Sequence, residues 1–377
     1  MFKYVIIPLA TRLTDKHRNV LRKLEETYRE HFHPPISSLH ELDHDLVENS
    51  NLMIFLFLTG GTSRTAVQID LMYKCPKILL AHREDNSLPS ALGFIERKIA
   101  QTRYLLQIID LDRICEEIDR FVKAVQAAYE TYNSRIVVLF ERKLRDEWYN
   151  ILAKTNVKII PVPEVSYRKD SYESFINSLH AEIKEIMEKY RADGVTLDCF
   201  RLLKEVGYTP CLAFSKLLSD GIPVACECDV VSLLGFILLR KISIDFVKCS
   251  MMVNLCELSN SMALFAHCTV PVTMCEKYEL VPHFETGLNY AVKGIVRKDR
   301  CTVFRISNDF TRMFIREGSI IETSDTIRGD LCMTRLRVKF DSDVNTNLVL
   351  GNHHIITLGE VGHLLRVAAW YLGLEVV

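Results

Sequence analysis

The sequence lacks an excess of charge of either sign. Its 47 Lys+Arg stand against 48 Asp+Glu, a formal net charge of −1 over 377 residues. No run of Lys or Arg marks a patch, so global attraction to nucleic acid or to an anionic membrane is not expected. Long apolar runs are also missing. The longest, at 52–58 and 230–239, fall well short of the roughly 18 residues of a membrane span. The first apolar stretch is about six residues and leads straight into a charged helical pattern, unlike a signal peptide. A cytoplasmic location is therefore the expectation. There is no paired C-x-x-C, no G-x-G-x-x-G and no P-loop, which disfavours a zinc ribbon, an iron–sulfur site and nucleotide binding. No solenoid-length repeat or low-complexity segment is present.

What is present is ordinary globular composition, 48% hydrophobic and 25% charged, and enough chain for two to three domains at roughly 150 residues each. Twelve cysteines occur, ten of them between Cys199 and Cys332. Free thiols packed as small hydrophobes are the leading reading. A disulfide and a metal–thiolate site are the competing ones.

The first third alternates strand and helix. Residues 4–8 and 76–81 read as strands, and 52–58 is apolar on both faces like a central parallel strand. Residues 15–32, 88–100 and 111–132 read as helices. A second unit repeats this pattern from 133. Strands fall at 135–140, 157–161, 222–226 and 244–248, and helices at 144–154, 172–191, 212–218 and 230–241. From about 263 short strands separated by Gly and Asp turns dominate, at 288–296, 300–307, 311–317, 332–340 and 354–358, before a last helix at 361–372. The pattern predicts two Rossmann-like doubly wound α/β domains (1–132 and 133–255) and a C-terminal antiparallel β-barrel domain with a terminal helix (256–377).

Five clusters can carry chemistry. Glu227 and Asp229 follow a strand end, where open α/β sheets place ligands. They are suited to hold a cation or move a proton, although Asp229 also reads as a helix cap. His267 lies among apolar residues and reads as a core histidine more often than as a ligand. His283 and Glu285 open the strand-rich region. Gly351-Asn352-His353-His354 is a turn into a strand, whose alternation lets only one of the two histidines face a given site. This Glu/Asp/His set suits Mn²⁺ or a similar divalent ion. Thr59-Gly60-Gly61-Thr62, a Gly turn after a strand, is the fifth.

At LFLTGGT (56–62), NSLPSAL (86–92), GVTLDCFRLL (194–203), TPCLAFSKLLSDGIPVACECD (209–229), AHCTVP (266–271), HFETG (283–287) and GNHH (351–354) the sequence resembles the L-fucose isomerase/L-arabinose isomerase superfamily, and most of all its short fucose isomerase-like members. The resemblance implies aldose–ketose isomerisation of a sugar by an enediol route at a Mn²⁺ site between the second and third domains. It also implies a homo-oligomer, a trimer or hexamer. Glu227 matches the family's first metal-binding and catalytic carboxylate. His354 most nearly matches its C-terminal metal-binding histidine, and His267 sits where the arabinose branch has another. Asp229 and Glu285 are the further catalytic candidates, and His283, His353 and Asn352 the substrate-binding ones. The chain departs from the family at its second metal carboxylate, where Cys249 or Lys248 stands, with Asp245 nearby. A thiolate there shifts preference toward softer metals such as Zn²⁺. A non-catalytic carbohydrate-binding or regulatory protein that keeps the fold is the alternative.

Overall fold

A computed structural model describes the chain except residues 99–101, 289 and 328. Two compact units emerge, Met1–Gln126 and Ala127–Val377. The first alternates β1 (Tyr4–Leu9), α1 (Asp15–Tyr28), α2 (His44–Val47), β2 (Leu52–Phe57), α3 (Ser63–Met72), β3 (Lys77–Ala81), α4 (Ser87–Arg97) and β4 (Tyr104–Ile108). Its strands form one parallel sheet in the order β1-β2-β3-β4. All six residues of β2 are buried, because helices cover both faces of the sheet. On one face Phe55 and Phe57 pack against Ala66 and Ile69 of α3 and Ala91 and Phe94 of α4. The helix α5 (Ile114–Tyr132) runs across the boundary between the units.

The second unit begins with β5 (Arg135–Leu139), α6 (Tyr149–Lys154), β6 (Lys158–Val162), α7 (Tyr172–Tyr190), β7 (Gly194–Leu197), α8 (Cys199–Val206), α9 (Cys211–Ser219), β8 (Val224–Ala225) and α10 (Val230–Ile242). The sheet is again parallel, in the order β6-β5-β7-β8. A short helix, α11 (Ile244–Lys248), follows. The rest is antiparallel: β9 (Ser250–Ser259), β10 (Met262–His267), β11 (Cys275–Pro282), β12 (Tyr290–Val296), β13 (Arg300–Ile306), β14 (Arg312–Thr323), β15 (Thr334–Phe340) and β16 (His353–Leu358). Six of these close a barrel, β13-β16-β9-β10-β15-β14, through the β13–β14 pairing. β11 and β12 form a separate hairpin. After α12 (Gly362–Leu372) the chain adds β17 (Glu375–Val376) in parallel to β14. The architecture is thus the expected two parallel α/β sheets followed by a β-barrel. No helix among the described residues is long and apolar enough to cross a membrane.

Several elements differ from the sequence reading, which expected no strand at β4, β7, β9, β10 or β11 and no helix at α3 or α8. Residues 244–248 are helical rather than the fourth strand of the second unit. Ser243 caps them, its hydroxyl accepting from the Asp245 amide at 3.3 Å, and β8 is already the edge of its sheet. The barrel also starts earlier than residue 263, at Ser250, so the expected 255/256 boundary falls inside β9. Ser250, Met251, Met252 and Val253 are all buried. With both faces covered, the period-two alternation that announces a strand is missing there.

Candidate metal centre

The site is built on the turn between β8 and α10. The Thr196 hydroxyl donates to the Ala225 carbonyl at 2.7 Å, and the Cys228 amide donates to the Leu197 carbonyl at 3.0 Å. These bonds tie the turn to β7. Glu227 and Cys228 are held with φ of 61° and 56°, two successive non-glycine residues in the left-handed region. Each such residue costs of order 1–3 kcal/mol. Asp229 then caps α10, accepting from the Ser232 amide at 2.9 Å and the Ser232 hydroxyl at 2.8 Å.

α10 is buried along nearly its whole length. Its Gly235 lies flat against β16 and β13. A Cβ there would come within 2.5 Å of Ile355 Cδ1 and 3.2 Å of Phe304 Cε2. This close approach brings the Glu227–Asp229 turn to the start of β16. Arg305 fixes that start from behind. It donates to the Leu350 carbonyl at 3.0 Å and to the His353 carbonyl, and Gly351, at φ 142°, leaves room for its guanidinium.

The two histidines of β16 diverge as alternation requires. His353 pairs across from Asn254 and His354 from Val253. His354 turns into the barrel, 1% exposed, with the rings of Phe265 and Phe314 at 5.9 and 5.5 Å. Burial pushes its pKa down to about 4. His354, expected as the ligand, thus sits among aromatic rings, and its neighbour His353 turns toward the carboxylates. His353 Nδ1 lies 2.8 Å from Asp229 Oδ2, and its Nε2 lies 3.7 Å from Glu227 Oε2. That Nε2 is buried and has no hydrogen-bond partner among the described residues. Asp229 is both the expected cap and a partner of His353. Burial works to raise its pKa, but the hydrogen bonds from His353 and the Ser232 amide outweigh it and the net shift is downward. The Asp229 carboxylate is a hydrogen-bond partner of Nδ1, the arrangement found behind metal-bound histidines.

His267 completes this group. Donor atoms of Glu227, His267 and His353 all lie within 4.8 Å of one another. Burial, with smaller contributions from His353 and His283, pushes the His267 pKa down to about 3, so the ring is neutral. The Glu227 pKa is raised, first by burial and then by Glu285 and Asp229, against the pull of His353. The same residue lies on two cavities, one shared with Asp229, Asn352 and His353, the other with His267, His283 and Glu285. Glu285 is exposed in the latter. Asn352 is exposed and donates to the Asn254 side chain at 2.6 Å.

Cys249 does not stand in for a second carboxylate beside Glu227. Its sulfur lies 3.7 Å from Arg297 Nη2 and it packs on the barrel core. Lys248 pairs with Asp245 at 3.8 Å on α11. The Gly turn at 59–62 is in the first unit, lining a cleft with Arg12, Asp85, Asn86 and Arg97.

The sequence reading took the cysteines for free thiols packed in the core. All are free, but they are not only packing groups. Cys199, Cys211, Cys226, Cys268 and Cys332 line the cavity of Glu227 and His283. Cys211, Cys268 and His283 form a second group whose donor atoms lie within 4.8 Å of one another. Arg305, Asn254, Cys211 and Cys268 were missed because their partners lie far off in the chain. Cys211 and Cys268 do fall inside the segments TPCLAF and AHCTVP that carry the resemblance. No protein-family model matches this sequence, and no curated protein matches it.

Proposed function

We propose that this chain is a metal-dependent carbohydrate isomerase that interconverts an aldose and a ketose by an enediol route. The observation that carries the reading is His353 Nε2, a buried ring nitrogen without a hydrogen-bond partner among the described residues, facing Glu227 with Asp229 behind the ring. The order of motifs that resembles the fucose/arabinose isomerase superfamily supports the same reading. The oxygen and imidazole donors fit a divalent ion of intermediate hardness, Mn²⁺ first. Glu227, His267 and His353 would hold it. When bound, such an ion polarises the carbonyl and adjacent hydroxyl oxygens of an open-chain sugar.

The chain's own groups supply the rest. Glu227, its carboxyl pKa raised by burial, takes the proton from C2 of the aldose and returns it to C1. A proton moves from O2 to O1 in the same conversion, so nothing is gained or lost. Asp229 positions His353. Glu285 and Asn352, exposed on the two cavities that meet at Glu227, are placed to bind sugar hydroxyls.

The test is a panel of aldoses with the Mn²⁺-supplemented protein, repeated with Glu227→Gln. The wild type is expected to isomerise at least one sugar, and the variant to lose about 10²-fold or more of that rate. Retention of more than about a tenth would remove Glu227 from the proton transfer. The placement of Cys249 beside Arg297, with no second carboxylate in the family's position, favours a second reading, a sugar-binding protein without turnover. Sugar binding by calorimetry with no isomerisation at any metal supplement would establish that reading instead.

A further inference from the structure

We propose that Cys211, Cys268 and His283 form a second, softer metal site that takes a zinc ion, with its fourth position open to the cavity beside Glu227. The three donors come from separate parts of the second unit. Cys211 is the first residue of α9, Cys268 follows β10, and His283 follows β11. The Cys211 and Cys268 sulfurs are 3.7 Å apart. A disulfide would hold them at about 2.05 Å. Two sulfurs on a tetrahedral zinc, each about 2.3 Å from the ion, stand about 3.8 Å apart. The observed separation rules out a bond between them and fits two ligands on one ion.

The imidazole is held for the same task. The Thr286 hydroxyl lies 3.2 Å from His283 Nδ1, and the ring's donor nitrogen lies within 4.8 Å of the Cys211 and Cys268 sulfurs. Such an outer partner fixes the orientation and tautomer of a metal-binding histidine. Cys332 lines the same cavity as Cys268. Charge balance points the same way. Cys211 is 3% exposed and His283 5%. Two thiolates and a neutral imidazole cancel a dipositive ion, so the filled site buries no net charge. Sulfur donors select zinc over manganese, and two thiolates make a softer set than the carboxylate and imidazoles of Glu227, His267 and His353. The two groups are thus adjacent but chemically sorted, and the cysteine site requires neither a sugar nor isomerase activity.

The full-length, reduced, chelator-treated protein is titrated with Co²⁺. One equivalent is expected to give a sulfur-to-cobalt charge-transfer band in the near ultraviolet, bleached by Zn²⁺. Cys211→Ser and Cys268→Ser should each abolish the band. Glu227→Gln and Cys249→Ser should keep it, which separates this site from the one assigned to the isomerase reading. Zinc-edge X-ray absorption of the zinc-loaded wild type is independent of any folding defect in the variants, and should show two sulfur neighbours at about 2.3 Å. A wild type without the charge-transfer band, a band that survives both cysteine variants, or a zinc shell without sulfur would overturn the site.

Discussion

At the scale of single residues, Glu227 shows how local strain and charge concentrate where chemistry is expected. It is a non-glycine residue at φ 61°, and its carboxyl shares its surroundings with Glu285 and Asp229. Nothing about its own stability favours either feature. Replacing it by glycine relieves the left-handed strain and the like-charge repulsion, while the more flexible unfolded chain offsets part of the gain. Glu227→Gly is therefore expected to raise the unfolding free energy of the metal-free protein by about 0.5–1 kcal/mol and to remove the stabilisation given by added Mn²⁺. Urea unfolding with and without the ion checks both halves. A variant less stable than wild type in the metal-free state would show that the turn is not strained.

At the scale of elements, α10 decides whether the donors meet. Asp229 caps it at one end, and Gly235 in its middle lets it approach Ile355 of β16 and Phe304 of β13. A larger side chain must push against Ile355 and the fully buried Phe304 ring. Gly235→Val is expected to cost about 1–3 kcal/mol of stability. It should also weaken divalent-ion binding at Glu227 and His353, because the start of β16 moves away from the β8–α10 turn. Denaturant midpoints together with Mn²⁺ titration measure both. Unchanged ion affinity in a destabilised variant would mean that helix and strand are positioned independently. The same packing explains the misread segment 244–248. Its apolar residues serve a one-turn helix beneath the barrel, and five residues are too few for helical and strand periodicities to be told apart.

At the scale of the whole molecule, the β11–β12 hairpin stands outside the barrel and carries exposed apolar side chains. Tyr278, Leu280, Phe284, Leu288 and Tyr290 are between 40% and 52% exposed. Apolar surface clustered in this way marks association sites more often than free surface, and it agrees with the homo-oligomer that the family resemblance implies. Light scattering is expected to give three or six times the chain mass of 43.4 kDa. The paired substitution Leu280→Lys and Leu288→Lys should shift it toward the single chain. A wild type at 43.4 kDa at micromolar concentration would remove the oligomer.

By itself the sequence determined the class of architecture and the residue types of the site. Strands apolar on both faces, such as Leu52–Phe57, announce a covered parallel sheet, and period-two strands such as Thr334–Phe340 announce a barrel wall. Glu227, His267 and the 353–354 pair were legible as donors because local chemistry and position at strand ends are local properties. Only the tertiary structure decided which members converge. Alternation guarantees that His353 and His354 diverge, but which face is the barrel interior depends on the pairing of β16 with β9, a contact between residues 99 to 107 positions apart. The cysteines make the same point more sharply. Cys211 and Cys268 have no C-x-x-C spacing to betray them, because their sulfurs are brought to 3.7 Å by the packing of α9 on the segment after β10, where the Ser215 hydroxyl donates to the Val270 carbonyl, rather than by a turn of the chain.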